Sequence, residues 1–83
     1  MGKIVLMRVN ILFFGPLKDI TGSGNLVMED ITDTETLVAT LESQYPLMGS
    51  TRFVLAVDKQ IVQKNTTLRH DSTVAFMPAF SGG

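Results

Sequence analysis

One segment limits the architectures open to this chain: a single amphipathic helix set between runs that read as strands. Leu37, Val38, Leu41 and Tyr45 recur at i, i+1, i+4 and i+8, which places one apolar stripe on one side of a helix. Pro46 bars Tyr45 from helical geometry, so the helix ends near Gln44. At its start Thr32 and Glu35 have the spacing of a capping box, with Asp33 and Thr34 as competing N-caps. A lone helix with one stripe needs one apolar sheet face to cover.

The flanking sequence supplies that face. Residues 5–14 alternate as a half-buried strand, with Val9, Ile11 and Phe13 on one side and Arg8, Asn10, Leu12 and Phe14 on the other. The first set is assigned inward, because the second begins with polar residues. Gly15-Pro16 breaks the strand, residues 17–21 predict one helical turn, and Gly22-Ser23-Gly24-Asn25 is a loop before a short returning strand at residues 26–28. After the helix, Gly49-Ser50 reads as a loop and Phe53–Val57 as a strand. Asp58-Lys59 is a tight turn, Gln60–Val62 returns, and residues 66–72 are polar and turn-like. Residues 73–77 form the last strand, with Val74 and Phe76 on one face and Ala75 and Met77 on the other, and Pro78 is expected to end its pairing. Hairpins join the antiparallel neighbours, and the helix is the crossover that lets the first and last strands lie side by side and parallel. The fold class is therefore α+β: a mixed sheet packed on one main helix, a roll of the β-grasp or ubiquitin-like type. Residues 1–77 make the domain and 78–83 an extended tail.

With 83 residues and no cysteine, the chain is one small domain without disulfides, thiolate metal sites or a catalytic thiol. A net charge of −1 with scattered Lys and Arg argues against a nucleic-acid surface. The apolar run ahead of Arg8 is too short for a signal peptide or membrane span, so a cytoplasmic location is expected. Met1 and Met7 are both candidate starts, residues 1–6 then being an extension.

Ordinary catalytic machinery is not visible. His70 is a lone histidine beside Asp71 in a turn, and Gly22-Ser23-Gly24 opens a strand rather than a phosphate-binding helix. Glu29 with Asp30, and Asp33 with Glu35, sit at element ends as solvated caps. No serine occupies a nucleophile elbow, and no metal site is expected. Two features remain. Ser81-Gly82-Gly83 leaves the terminal carboxylate sterically open, and glycines without Cβ can lie extended in a slot too narrow for side chains. The six residues from Pro78 onward reach roughly 20 Å when extended. Beside them, Leu12, Phe14, Ile61 and Met77 are expected to cluster on the sheet face away from the helix, a docking patch.

With these stretches in hand, the chain resembles the small subunit of molybdopterin synthase, a sulfur carrier with a ubiquitin-like fold. Val9-Asn10-Ile11-Leu12-Phe13-Phe14, the helix through Tyr45-Pro46, Leu55-Ala56-Val57-Asp58 with Ile61-Val62, and Val74-Ala75-Phe76-Met77-Pro78 leading to Ser81-Gly82-Gly83 carry the likeness. The resemblance implies that Gly83 is the reactive residue, adenylated and then converted to a thiocarboxylate, with Gly82 giving clearance. It implies that Phe14, Ile61, Met77, Pro78, Phe80 and Ser81 meet partners. Those would be the synthase large subunit in a heterotetramer, a ubiquitin-activating-like adenylyltransferase and a sulfur donor. The chain would bind no cofactor and catalyse nothing alone; ATP and Mg²⁺ serve the activating partner.

There are three departures, of which the first two bear on partner choice. The family usually has a second aromatic at Met77, a second proline at Ala79, and Gly-Asp where His70-Asp71 stand. Sulfur carriage to thiazole synthesis or tRNA thiolation, attachment to lysines as a protein modifier, and an interaction module with an incidental tail remain rival readings.

Overall fold

In the computed structural model of the chain, which describes residues 7–79, the helix covers one face of a five-stranded sheet in the order β2-β1-β5-β3-β4. β1 (Arg8–Phe13) is followed by α1 (Pro16–Thr21), β2 (Asn25–Glu29), α2 (Thr34–Gln44), a 3-10 helix (Pro46–Ser50), β3 (Phe53–Val57), β4 (Gln60–Val62) and β5 (Thr73–Pro78). β2 runs antiparallel to β1, β5 lies parallel to β1, and β3 is antiparallel to both β5 and β4. The last strand is therefore central, as the crossover argument requires.

Strand parity builds the core. Val9, Ile11 and Phe13 of β1 and Val74 and Phe76 of β5 are buried, and Leu37 and Leu41 of α2 lie on them. Phe76 stacks tilted between Phe13 (ring centroids 5.4 Å apart) and Phe53 (5.1 Å), which locks the three central strands together. The Asp58-Lys59 turn has positive φ at both residues (49° and 75°), the geometry that matches the twist of a two-residue hairpin.

Four expectations need adjustment. The N-cap of α2 is Asp33, not Thr32: its carboxylate accepts from the Thr36 amide at 3.1 Å. Asn65 decides the choice, because its amide donates to the second Asp33 oxygen (2.9 Å) while its carbonyl accepts from the Glu35 amide (2.9 Å). Thr34 and Thr66 bond reciprocally, and the Leu68 amide donates to the Thr32 carbonyl, so residues 65–68 are stitched onto the helix start. The stitch buries Leu68 within a stretch expected to be turn only. The Gly49-Ser50 loop is part of the 3-10 helix, which buries Met48 completely. Pairing in β5 runs one residue past its expected end, to Pro78 opposite Phe53, and the Ala79 amide reaches the Arg52 carbonyl at 3.4 Å. The Arg52–Ala79 bond marks Phe53–Pro78 as the non-hydrogen-bonded pair, where a missing N–H costs nothing.

Candidate functional site

The face of the sheet away from α2 carries the site, and its shape follows from register. Leu12 pairs with Ala75, Ala75 with Ala56, and Ala56 with Ile61, so one row crosses β1, β5, β3 and β4. The two alanines in the middle are too small to fill the row, and longer side chains stand on both sides. The result is an open depression of ≈ 770 Å³ lined by Leu12, Phe14, Ala56, Ile61, Ala75 and Met77. Asp58, Lys59 and Thr73 close its polar end. There Asp58 is tied to the start of β5, accepting from the Thr73 amide at 2.9 Å and donating its own amide to the Thr73 carbonyl at 2.8 Å.

Of the residues picked from sequence, Phe14, Ile61 and Met77 meet here, with Leu12 as expected. Phe14 is 46% exposed and Ile61 64% exposed, far more than their inward neighbours, so the depression is an uncovered apolar surface. Pro78 has the parity of Phe76, so it does not line the depression. Its ring lies at the top of the sheet, 3.3 Å from where a Cβ on Gly15 would stand. Phe80, Ser81, Gly82 and Gly83 lie outside the described residues. Ala56 and Ala75, with Asp58, Lys59 and Thr73 at the polar end, are site residues that sequence reading did not single out, and the alanines shape the hollow. Their only signal was strand register, since a lone alanine announces nothing.

His70 occupies a turn, where its Nδ1 accepts from the Arg8 amide at 3.1 Å, and Asp71 meets the Arg8 guanidinium at 3.3 Å. Among the described residues no three His, Cys, Asp or Glu side chains gather as a metal site would need, and no helix is long and apolar enough to cross a membrane. The arrangement suits docking alongside the end of β5.

The family model of the ThiS family matches residues 11–83. The chain belongs to the ThiS family. Solved structures with the same fold include small archaeal modifier protein 1 from Methanosarcina acetivorans, at TM-score 0.78 and 14% identity, covering 95% of this chain and 99% of that one. A Pyrococcus furiosus protein assigned as molybdopterin converting factor subunit 1 superposes at TM-score 0.78 with 15% identity, over 87% of this chain and 97% of that one. A chain in the complex of subunits 1 and 2 of the molybdopterin-converting factor from Helicobacter pylori 26695 is similar at TM-score 0.71 and 25% identity, over 93% of this chain and all of that one (100%). This ThiS-family chain thus has the β-grasp fold expected from its sequence, and it is the fold of a sulfur carrier.

Proposed function

We propose that this chain is the sulfur-carrying small subunit of a molybdopterin synthase. The observation that carries the reading is the uncovered apolar depression alongside β5, the strand that leads into Ser81-Gly82-Gly83. A partner seated there lies next to the root of the tail. The likeness to a chain from a two-subunit converting factor supports a large-subunit partner of that kind.

The chemistry belongs to Gly83. A carboxylate is a poor electrophile, so one oxygen first attacks the α-phosphorus of ATP on an activating partner. Pyrophosphate leaves, and the acyl-adenylate remains. A donor that supplies sulfur at the sulfide level (HS⁻) then forms a C–S bond as the C–O bond to AMP breaks; AMP leaves, and the thiocarboxylate remains. In the large subunit that sulfur passes to the pyranopterin precursor and water restores the carboxylate, so two deliveries supply a dithiolene. Gly82 and Gly83 contribute clearance, since side chains there would crowd each attack. Phe14, Ile61 and Met77 supply the grip.

The test is intact-mass spectrometry after incubation with the activating enzyme, ATP and a sulfur source, followed by capture on the large subunit. A gain equal to the exchange of one oxygen for sulfur, abolished by deleting Gly82 and Gly83, is the expected result. Loading without affinity for the large subunit would move the function to thiazole or tRNA sulfur transfer. Lysine-linked conjugates on a denaturing gel would make the chain a modifier, and no change on tail deletion would leave only an interaction module.

A further inference from the structure

We propose that Gly15 is a positioning residue. Its contact with Pro78 fixes the direction in which the chain leaves the sheet, relative to the Phe14 docking face. For its functional consequence the proposal rests on the sulfur-carrier reading above.

Gly15 joins β1 to α1 with φ 60° and ψ −138°, a conformation that L side chains rarely adopt. The conformation lets the backbone turn at once into Pro16 at the first position of α1. It also brings Gly15 against the last strand: a Cβ here would meet Pro78 Cγ at 3.3 Å and Cδ at 3.6 Å. On that side the Phe14 amide donates to the Phe76 carbonyl at 3.0 Å, holding the turn to β5. On the other side Pro78 is paired with Phe53, and Ala79 reaches Arg52. The proline, with φ already fixed by its own chemistry, thus lies between the Gly15 turn and β3. The residue that approaches it adjoins Phe14, on the rim of the depression. A partner that grips Phe14 therefore meets Pro78 and Ala79 on a set line, which matters because a misplacement of about 1 Å can cost ~100-fold in rate.

The experiment compares wild type, Gly15→Ala, Pro78→Ala and the double variant, all well below their melting transitions. Gly15→Ala is expected to lower kcat for adenylation of Gly83 by ~10- to 100-fold while KM for the chain stays put, since the Phe14 face is untouched. Pro78→Ala in that background removes the same clamp a second time, so the double variant should fall no lower than the worse single variant. Backbone strain at Gly15 that is independent of Pro78 would instead add to the Pro78→Ala loss. Wild-type kcat in folded Gly15→Ala, or losses that simply add in the double variant, would overturn the clamp. Should Gly15→Ala fail to fold, Pro78→Ala alone must lower kcat; an unchanged kcat overturns it equally. If wild type itself is not adenylated, the sulfur-carrier reading fails separately. The clamp is then judged by the residual dipolar coupling of the Ala79 amide, which must change in Gly15→Ala and in Pro78→Ala, with no further change in the double variant.

Discussion

The two faces of the same sheet are made by alternate residues of the same strands, yet they serve opposite ends. On the helix side, Val9, Ile11, Phe13, Val74 and Phe76 are buried. On the other side Leu12, Ala75 and Met77 are as apolar, but Phe14 and Ile61 stand in solvent, and the two alanines keep a hollow open. Hydrophobicity alone does not separate the faces. What separates them is whether the chain itself provides the cover, and on the outer face it provides none within the described residues. An apolar face left bare costs solubility and gains little stability, so it is intelligible as a surface for another protein.

Substitutions on the two faces should therefore fail in different assays. The largest effect is expected inside. Phe76→Ala removes a fully buried ring that touches both Phe13 and Phe53, and should cost about 3–5 kcal/mol of unfolding free energy, read from urea denaturation. A cost below about 1 kcal/mol would mean that the three-ring contact does not hold the central strands. On the outer face, Phe14→Asp should leave stability within about 0.5 kcal/mol. The same change should weaken capture by the large subunit by about 2 kcal/mol, some 30-fold in Kd by titration calorimetry. Ile61→Asp should act alike. Equal Kd for wild type and both variants would remove the depression as the docking site.

Much of this contrast was readable in the sequence because parity carries it. When one face is buried, a slip of one residue inverts every side chain, so Val9, Ile11 and Phe13 could only point one way. The helix limits were equally legible, bounded by acceptor side chains before Thr34 and by Pro46 after Gln44. Single residues outside any period were not legible. Leu68 stands alone among polar neighbours, and Met48 follows an equally apolar Leu47 that stays exposed, so only tertiary packing tells which of them enters the core. The hollow was half legible: its rim residues announce themselves, while Ala56 and Ala75 matter only once the register aligns them across two strands. The choice of Asp33 over Thr32 as N-cap was out of reach because its deciding partner, Asn65, lies 32 positions away.

That seam belongs to neither face, and it sharpens the comparison as a control. Asn65→Ala removes the hydrogen bonds to the Asp33 carboxylate, the Glu35 amide and the Thr34 hydroxyl, at a cost of about 1–3 kcal/mol by the usual worth of such bonds. Loading of Gly83 and capture by the large subunit should be unchanged at temperatures where the variant is folded. A change in either assay would mean that the seam communicates with the docking face, and the division between faces would lose its meaning.

The smallest effect expected is the pH dependence of the same seam. Hydrogen bonds from the Thr36 side chain, then from Asn65 and the Thr36 amide, hold the Asp33 carboxyl below its ordinary value of 3.8. A carboxyl that is more acidic folded than unfolded binds its proton more readily in the unfolded chain. It therefore adds stability that is fully present above the ordinary carboxylate range and is lost as pH falls through that range to below the folded value. Asp33→Asn retains an oxygen that can accept from the Thr36 amide but has no proton to gain. Wild type should thus exceed Asp33→Asn in urea midpoint near neutrality, and the gap should close on acidification below the ordinary value. A gap of constant size down to acid would show that the Asp33 charge does not contribute to the cap, leaving shape and neutral hydrogen bonding as the whole of it. The closing gap would instead show that the Asp33 charge strengthens the cap beyond its hydrogen bonds to Thr36 and Asn65.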